Sequence, residues 1–481
     1  MNGDAGAISD AGPDAGPDAG DPADLAPRRW PLDPNPVTHD VDTVLDAVLE
    51  RSALAGACDA VAAGAADRAT RLKCGKDMFF REAFGTVGVP TKLLVFLQKH
   101  YAQSYFGAGF SNFGFAPDST NSDGIPIGLA PTTGTLGKLE TRAFTCAACH
   151  FGQLPDGRWA VGYSNLKLDY GRFIASMGAP LVMSIDANSA QVAPEVRAAL
   201  AGPVAQAKQN PLYLADVASV GIGLATSGAT GNTQLNAEEQ SRFWALRPGT
   251  MDFLTKPLIE DNVWTVSRIL ALWQIPDATQ RAAHGMPHEL LSWTGGVENA
   301  MTFLEGFVAI GKADPALWPD SRLQPLDEYL RTLRPPPLAD TTETPQIHAG
   351  ARLFTQRCLG CHSGPSGEGV RVFEFSEVGT DSAYRYIFNP DQIPGGTPCC
   401  GLGGAGQYVV TGGVKAPRLA GLVHMTGLLH NGSVRSLEEL FCLALRDPTT
   451  TYAETSAGHA MTCDGLSDDD KRALIAYLRT L

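Results

Sequence analysis

Two pentapeptides constrain this chain more than any other feature: Cys146-Ala147-Ala148-Cys149-His150 and Cys358-Leu359-Gly360-Cys361-His362. Each reads Cys-x-x-Cys-His, the attachment signature of c-type haem, in which two thiols bond the porphyrin and the adjacent histidine becomes an axial iron ligand. The short spacing is a physical requirement, because the thiols must reach two vinyl groups while the next residue sets its imidazole beneath the metal. Cys and His are scarce in this chain, and chance would yield one such pentapeptide in roughly 0.4% of sequences this long. The expectation is therefore two covalently bound haem c groups. Cys146, Cys149, Cys358 and Cys361 would carry the porphyrins, with His150 and His362 on iron. The competing reading, coincident buried thiols or half of a zinc site, needs that chance twice.

The other six cysteines are Cys58, Cys74, Cys399, Cys400, Cys442 and Cys463. Haem is attached to such motifs outside the cytoplasm, where an even remainder suggests disulfides. The pairing expected is Cys58 with Cys74 and Cys442 with Cys463, leaving Cys399 and Cys400 as a vicinal bridge or two free thiols. A periplasmic or extracellular location follows. No signal peptide or membrane-spanning run is visible, so an export signal is expected to have been removed ahead of Met1. The formal charge of −14 argues against nucleic acid and anionic membrane surfaces as partners, since binding phosphate takes a basic face. It suits docking with a basic redox protein.

The fold class expected is mainly α, with two cytochrome c-like haem domains, long irregular loops and little β. Residues 1–36, with the repeat Asp-Ala-Gly-Pro, are acidic and nearly free of large apolar side chains. They read as a disordered tether left by a signal or a lipoprotein anchor. Residues 37–337 form the expected N-terminal haem domain. Helical spacing runs from Val41 to about Ala66 and from Pro90 to Tyr105, a Gly- and Asn-rich loop spans Phe106 to Thr135, and a helix starts near Asp169. Val266, Ile269, Leu270 and Leu272 suggest a further buried helix. Another covers Leu326 to Leu333 and is stopped by Pro335-Pro336-Pro337, which mark the domain boundary.

Residues 338–481 read as one class I cytochrome c unit. Its first helix, His348 to Arg357, runs directly into Cys358, and a shorter one is expected near Leu437 to Leu445. Its last helix starts at Ser467, a good N-cap followed by three aspartates in the positively polarised first turn, and presents Leu474, Ile475, Leu478 and Leu481 along one face. Between them lies a Gly-rich loop, 392–413. An electron-transfer haem wants both axial positions filled, whereas a catalytic haem needs one open. The candidates for the sixth ligand here are His424, Met425, His430, His459 and Met461. His459 is favoured, because the loop before the final helix is where a ligand can reach over the ring. His430 reads better as a hydrogen-bonding partner of the haem, and Lys415 and Arg418 as propionate partners, since a buried carboxylate needs a charged neighbour.

Val378-Gly379-Thr380-Asp381, Val414-Lys415-Ala416-Pro417-Arg418-Leu419 and Leu428-Leu429-His430-Asn431-Gly432-Ser433-Val434, in a chain with two haem motifs, resemble the bacterial di-haem cytochrome c peroxidase superfamily. Leu429 to Ser433 and Gly458-His459 look more like its di-haem rubber oxygenase branch, because the peroxidases carry a Met in the late loop. The resemblance is specific over about 325–481 and thinner over 138–175.

The resemblance implies a division of labour. The N-terminal haem would be the centre that reacts with hydrogen peroxide or dioxygen, and the C-terminal haem, on His362 and His459, an electron relay. The activity implied is peroxidase-like, fed by a small redox donor protein or small-molecule reductant. The alternatives are a haem-dependent dioxygenase cleaving an apolar substrate and a non-catalytic electron carrier. Trp264 and Trp273 are the candidates for an aromatic bridge between haems. His284, His288 and Glu289 are candidate acid/base groups at the reactive haem, and His100 is a candidate resting-state ligand. Calcium between the domains is left open.

Overall fold

The computed structural model describes residues 26–29, 58, 61, 64, 66–132, 134, 137–185, 190–228, 235–251, 266–310, 313–338, 342–380, 411–447 and 456–481. Trp264, Cys399, Cys400, most of the 392–413 loop and nearly all of the helix expected from Val41 lie outside them. The architecture is mainly helical with small sheets. In the N-terminal part, α1 (Arg68–Arg81) precedes β1 (Val89–Pro90) and α2 (Thr91–Tyr101), which continues as a π turn to Phe106. Strands β2 (Leu129–Thr132) and β3 (Thr141–Phe144) then lead into α3 (Cys146–His150), the first Cys-x-x-Cys-His motif. A hairpin follows at once, β4 (Phe151–Gln153) and β5 (Trp159–Val161). Next come α4 (Tyr170–Met177), α5 (Ala179–Ile185), α6 (Pro194–Ala207), α7 (Tyr213–Thr226) and α8 (Ala237–Trp244). Asp169 caps α4 by accepting from the Arg172 N–H, as an aspartate at this position should.

The apolar run at 266–272 is not a helix. Its neighbours β6 (Thr250–Met251) and β7 (Ser267–Arg268) pair antiparallel, and its N–H groups go to three different segments. Arg268 donates to His430, Ile269 to Gly249 and Leu272 to Gly162. A segment enclosed on all sides is apolar throughout, so periodicity does not separate helix from strand there. Beyond it lie α9 (Ala278–Ala283), α10 (Ala300–Ile310) and α11 (Asp320–Leu330), which packs on α1. Cys58 is disulfide-bonded to Cys74 in α1.

The C-terminal unit is built on two crossing helices, α12 (Pro345–Arg357) and, at the chain end, α15 (Asp468–Leu478). Gly350 permits the crossing, because a Cβ there would overlap the Ala473 carbonyl of α15. Ser467 caps α15 in a reciprocal capping box with Asp470, and Leu474, Ile475, Leu478 and Leu481 are all buried. Between these helices run β8 (Val372–Glu374), α13 (Phe375–Val378), β9 (Gly413–Lys415) and α14 (Leu437–Leu440). The helix expected to reach Leu445 is a single turn. Cys442 sits at φ 55° and is bonded to Cys463, so the chain turns away. Part of the expected tether is packed: Ala26 enters the C-terminal core, Tyr477 Oη donates to the Pro27 carbonyl, and Arg29 reaches the Pro336 carbonyl. No helix among the described residues is long and apolar enough to cross a membrane.

Candidate metal centres

The second motif grows out of α12. Cys358 is the C-cap of that helix, and the N–H groups of Cys361 and His362 both return to the Cys358 carbonyl. This turn gathers both thiols and the imidazole at the helix end. His362 Nδ1 lies 2.5 Å from the Gly367 carbonyl oxygen, which assigns its proton to Nδ1 and leaves the Nε2 lone pair for a metal. Opposite stands His459, whose backbone N–H donates to the Val378 carbonyl and whose residue takes the left-handed conformation, φ 56°. The two imidazole centroids are 6.3 Å apart. Two imidazoles on opposite faces of one metal, with bonds of about 2.0–2.1 Å and about 1.1 Å from each nitrogen to its ring centre, give about 6.3 Å. The residues present therefore fit an iron with two histidine ligands.

Electrostatics agree. Burial pushes His459 down to about 4, helped by His362 and Arg446, and burial lowers His362 against the pull of Gly367. Both imidazoles are neutral near pH 7, the form that ligates metal. The thiols are shifted the other way, Cys146 and Cys149 up to about 12 and Cys358 to about 11, chiefly by burial. Such thiols are unlike the low-pKa cysteines of Cys-x-x-Cys redox motifs, and all four are unbonded in the structure. Among the described residues no group of three or more His, Cys, Asp or Glu converges on a metal position.

A cleft of about 1480 Å³, its mouth included, is lined by Cys358, Cys361, His362 and His459. Lys415 lines it too, 4% exposed, with burial pushing its amine down to about 7. Arg418 donates through Nε to the Trp273 carbonyl at 3.0 Å and through Nη2 to that of Ala271 at 2.8 Å. His430 is buried, lowered to about 4 by burial, and its Nδ1 is 3.2 Å from the Thr380 hydroxyl. Met461 is 48% exposed, Met425 sulfur accepts from Arg268 at 3.1 Å, and the half-buried His424 gives its carbonyl to the Tyr163 hydroxyl. Among the described alternatives, His459 is the one whose ring faces His362.

The first motif is held differently. Ala147 and Ala148 are buried in two separate apolar cores, so α3 is a wedge between them. Asn165 Nδ2 clamps it by donating to the Ala148 carbonyl at 3.0 Å and that of Gly114 at 2.7 Å. His150 Nδ1 is buried with no hydrogen-bond partner, and burial pushes the ring down to about 4 against the nearby Leu270 carbonyl. Among the described ring contacts, no second histidine faces it.

Trp273 lies between the two motifs. It is fully buried, stacks on Tyr163 at 5.3 Å and 18°, and lines the C-terminal cleft. Its indole fills space vacated by Gly421, where a Cβ would overlap the ring. Through Gly162, whose N–H bonds the His150 carbonyl at 2.7 Å and whose carbonyl receives the Leu272 N–H at 2.8 Å, its segment is one residue from the first motif's backbone.

Two of the three expected acid/base groups are exposed and the third is held in ion pairs. His284 and His288 are exposed, the former at the end of α9 with Nδ1 2.8 Å from the Ser363 carbonyl, the latter 4.0 Å from Glu298. Glu289 is buried, but it is neutralised by Arg281 and Arg331, both at 2.6 Å, and accepts from the Ala300 N–H. That network fastens α9, α10 and α11 together. His100 is bound to Asp216 at 2.7 Å. Sequence reading missed Arg268, whose signal was a lone arginine inside an apolar run. No family model matches the sequence, and no curated protein matches it.

Proposed function

We propose that this chain is an exported di-haem c-type oxidoreductase with a peroxidase-like activity, related to the bacterial di-haem cytochrome c peroxidase superfamily. The carrying observation is the pair His362 and His459 facing each other at 6.3 Å, against a His150 with no such partner among the described residues. A bound haem c supplies one-electron redox chemistry and, where an axial position is free, a place for peroxide or dioxygen. His362 and His459 would both hold the metal of the C-terminal group, which would then serve as the relay. Cys146, Cys149 and His150 would hold the N-terminal group with one side available. Trp273, packed between the motifs, would carry electrons from the relay towards it. Lys415 and Arg418 would offset the carboxylates of the C-terminal porphyrin.

The test is turnover of the holoprotein, produced in a host that attaches c-type haem, with hydrogen peroxide and a reduced small cytochrome. Peroxide-dependent oxidation of the donor is expected, slowed at least tenfold in Trp273→Ala. Oxygen uptake with an apolar polyisoprene-like substrate, without peroxide turnover, would replace the reading with an oxygenase. Neither activity would leave an electron carrier.

A further inference from the structure

Arg268 is 7% exposed, and among the described residues it makes no ion pair. Its Nε is buried with no hydrogen-bond partner, and the one partner of its Nη2 is the thioether sulfur of Met425 at 3.1 Å, a weak acceptor. A guanidinium so enclosed loses its hydration with no anion to offset it. The backbone offers no escape. The Arg268 N–H is tied to the His430 carbonyl at 2.6 Å, its own carbonyl receives the Trp293 indole N–H at 3.0 Å, and it pairs with Thr250 in a strand. The side chain is therefore held in place, and it lines the cleft that holds His362 and His459. Lys415, also buried on that cleft, makes no ion pair among the described residues either.

We propose that Arg268, a residue of the N-terminal unit, binds a carboxylate of the porphyrin attached at Cys358 and Cys361 in the C-terminal unit. The inference rests on the reading of that motif as a haem site and adds a positioning residue to it. Arg268 adds to Lys415 and Arg418 a further basic side chain on the cleft without an ion pair among the described residues, and a ligand carrying carboxylates, as haem does, would answer it. A planar guanidinium with a free Nε edge suits a carboxylate's paired oxygens. The contact would also fasten the relay's cofactor to the strand that runs on to Trp273, so the N-terminal unit would influence the relay's potential.

The experiment is a spectroelectrochemical titration of the full chain with both haems, following the low-spin centre in wild type, Arg268→Met and Arg268→Lys. Oxidised iron carries one more positive charge, so a carboxylate left without its cation favours the oxidised state. In Arg268→Met the ratio of reduced to oxidised haem at a fixed potential should fall about tenfold, a drop of about 59 mV for a one-electron couple, and Arg268→Lys should recover most of it. An unchanged ratio in Arg268→Met, with two haems and the low-spin spectrum retained, would overturn the proposal and leave the haem reading intact. Absence of any low-spin c-type haem in wild type would overturn both. If excess acetate shifts the wild-type ratio but not that of Arg268→Met, the site takes an exchangeable anion and the porphyrin assignment is wrong. Should Arg268→Met not accumulate, Arg268→Gln is read by the same criteria.

Discussion

The two Cys-x-x-Cys-His motifs share a sequence but not a setting. The second ends α12, the helix that crosses α15, lines a cleft, and presents a histidine oriented by the Gly367 carbonyl towards another, His459. The first is a wedge between two apolar cores, and its histidine has an Nδ1 with no partner. A pentapeptide fixes where a porphyrin is attached; the residues that meet its other face decide whether the iron is closed or reactive.

The comparison breaks most visibly at His459. His459→Ala should open the C-terminal iron, turning its low-spin spectrum partly high-spin and raising carbon monoxide uptake by the reduced protein from one equivalent to two. An unchanged spectrum would mean that the two centres are not distinguished by this residue. A smaller effect is expected at Gly350. Gly350→Val forces a branched side chain into the Ala473 backbone and should cost about 3 kcal/mol or more, lowering the thermal midpoint. The ligand reactivity of the first centre should persist in the folded fraction; its joint loss would show that the two units unfold as one. The smallest effect concerns pH. Because His459 stays neutral until pH falls towards about 4, proton competition for its nitrogen should be absent between roughly pH 5 and 8. A flat low-spin absorbance across that window is predicted, and a transition inside it would contradict the burial of the ring.

Local signals carried much of this architecture. The N-caps Ser467 and Asp169, the helix leading into Cys358 and the pairs Cys58–Cys74 and Cys442–Cys463 were all legible, because each depends on residues near in sequence. His459 facing His362 was legible for the related reason that it lies just before a recognisable last helix. The segment 266–272 was not, since its partners, Gly249, Gly162 and His430, come from three distant places. His284, His288 and Glu289 lie close along the chain, but two are exposed and the third is fixed between Arg281 and Arg331. Arg268 was hidden because a buried charge is recognised by its missing partners, which only the folded chain reveals.

The central claim is that one centre is closed and the other open. Titration of the dithionite-reduced, as-isolated holoprotein with carbon monoxide, read against the total c-type haem, tests it directly. Binding to half of the haem is expected, with the low-spin spectrum of the other half undisturbed. Binding to neither or to both would contradict it.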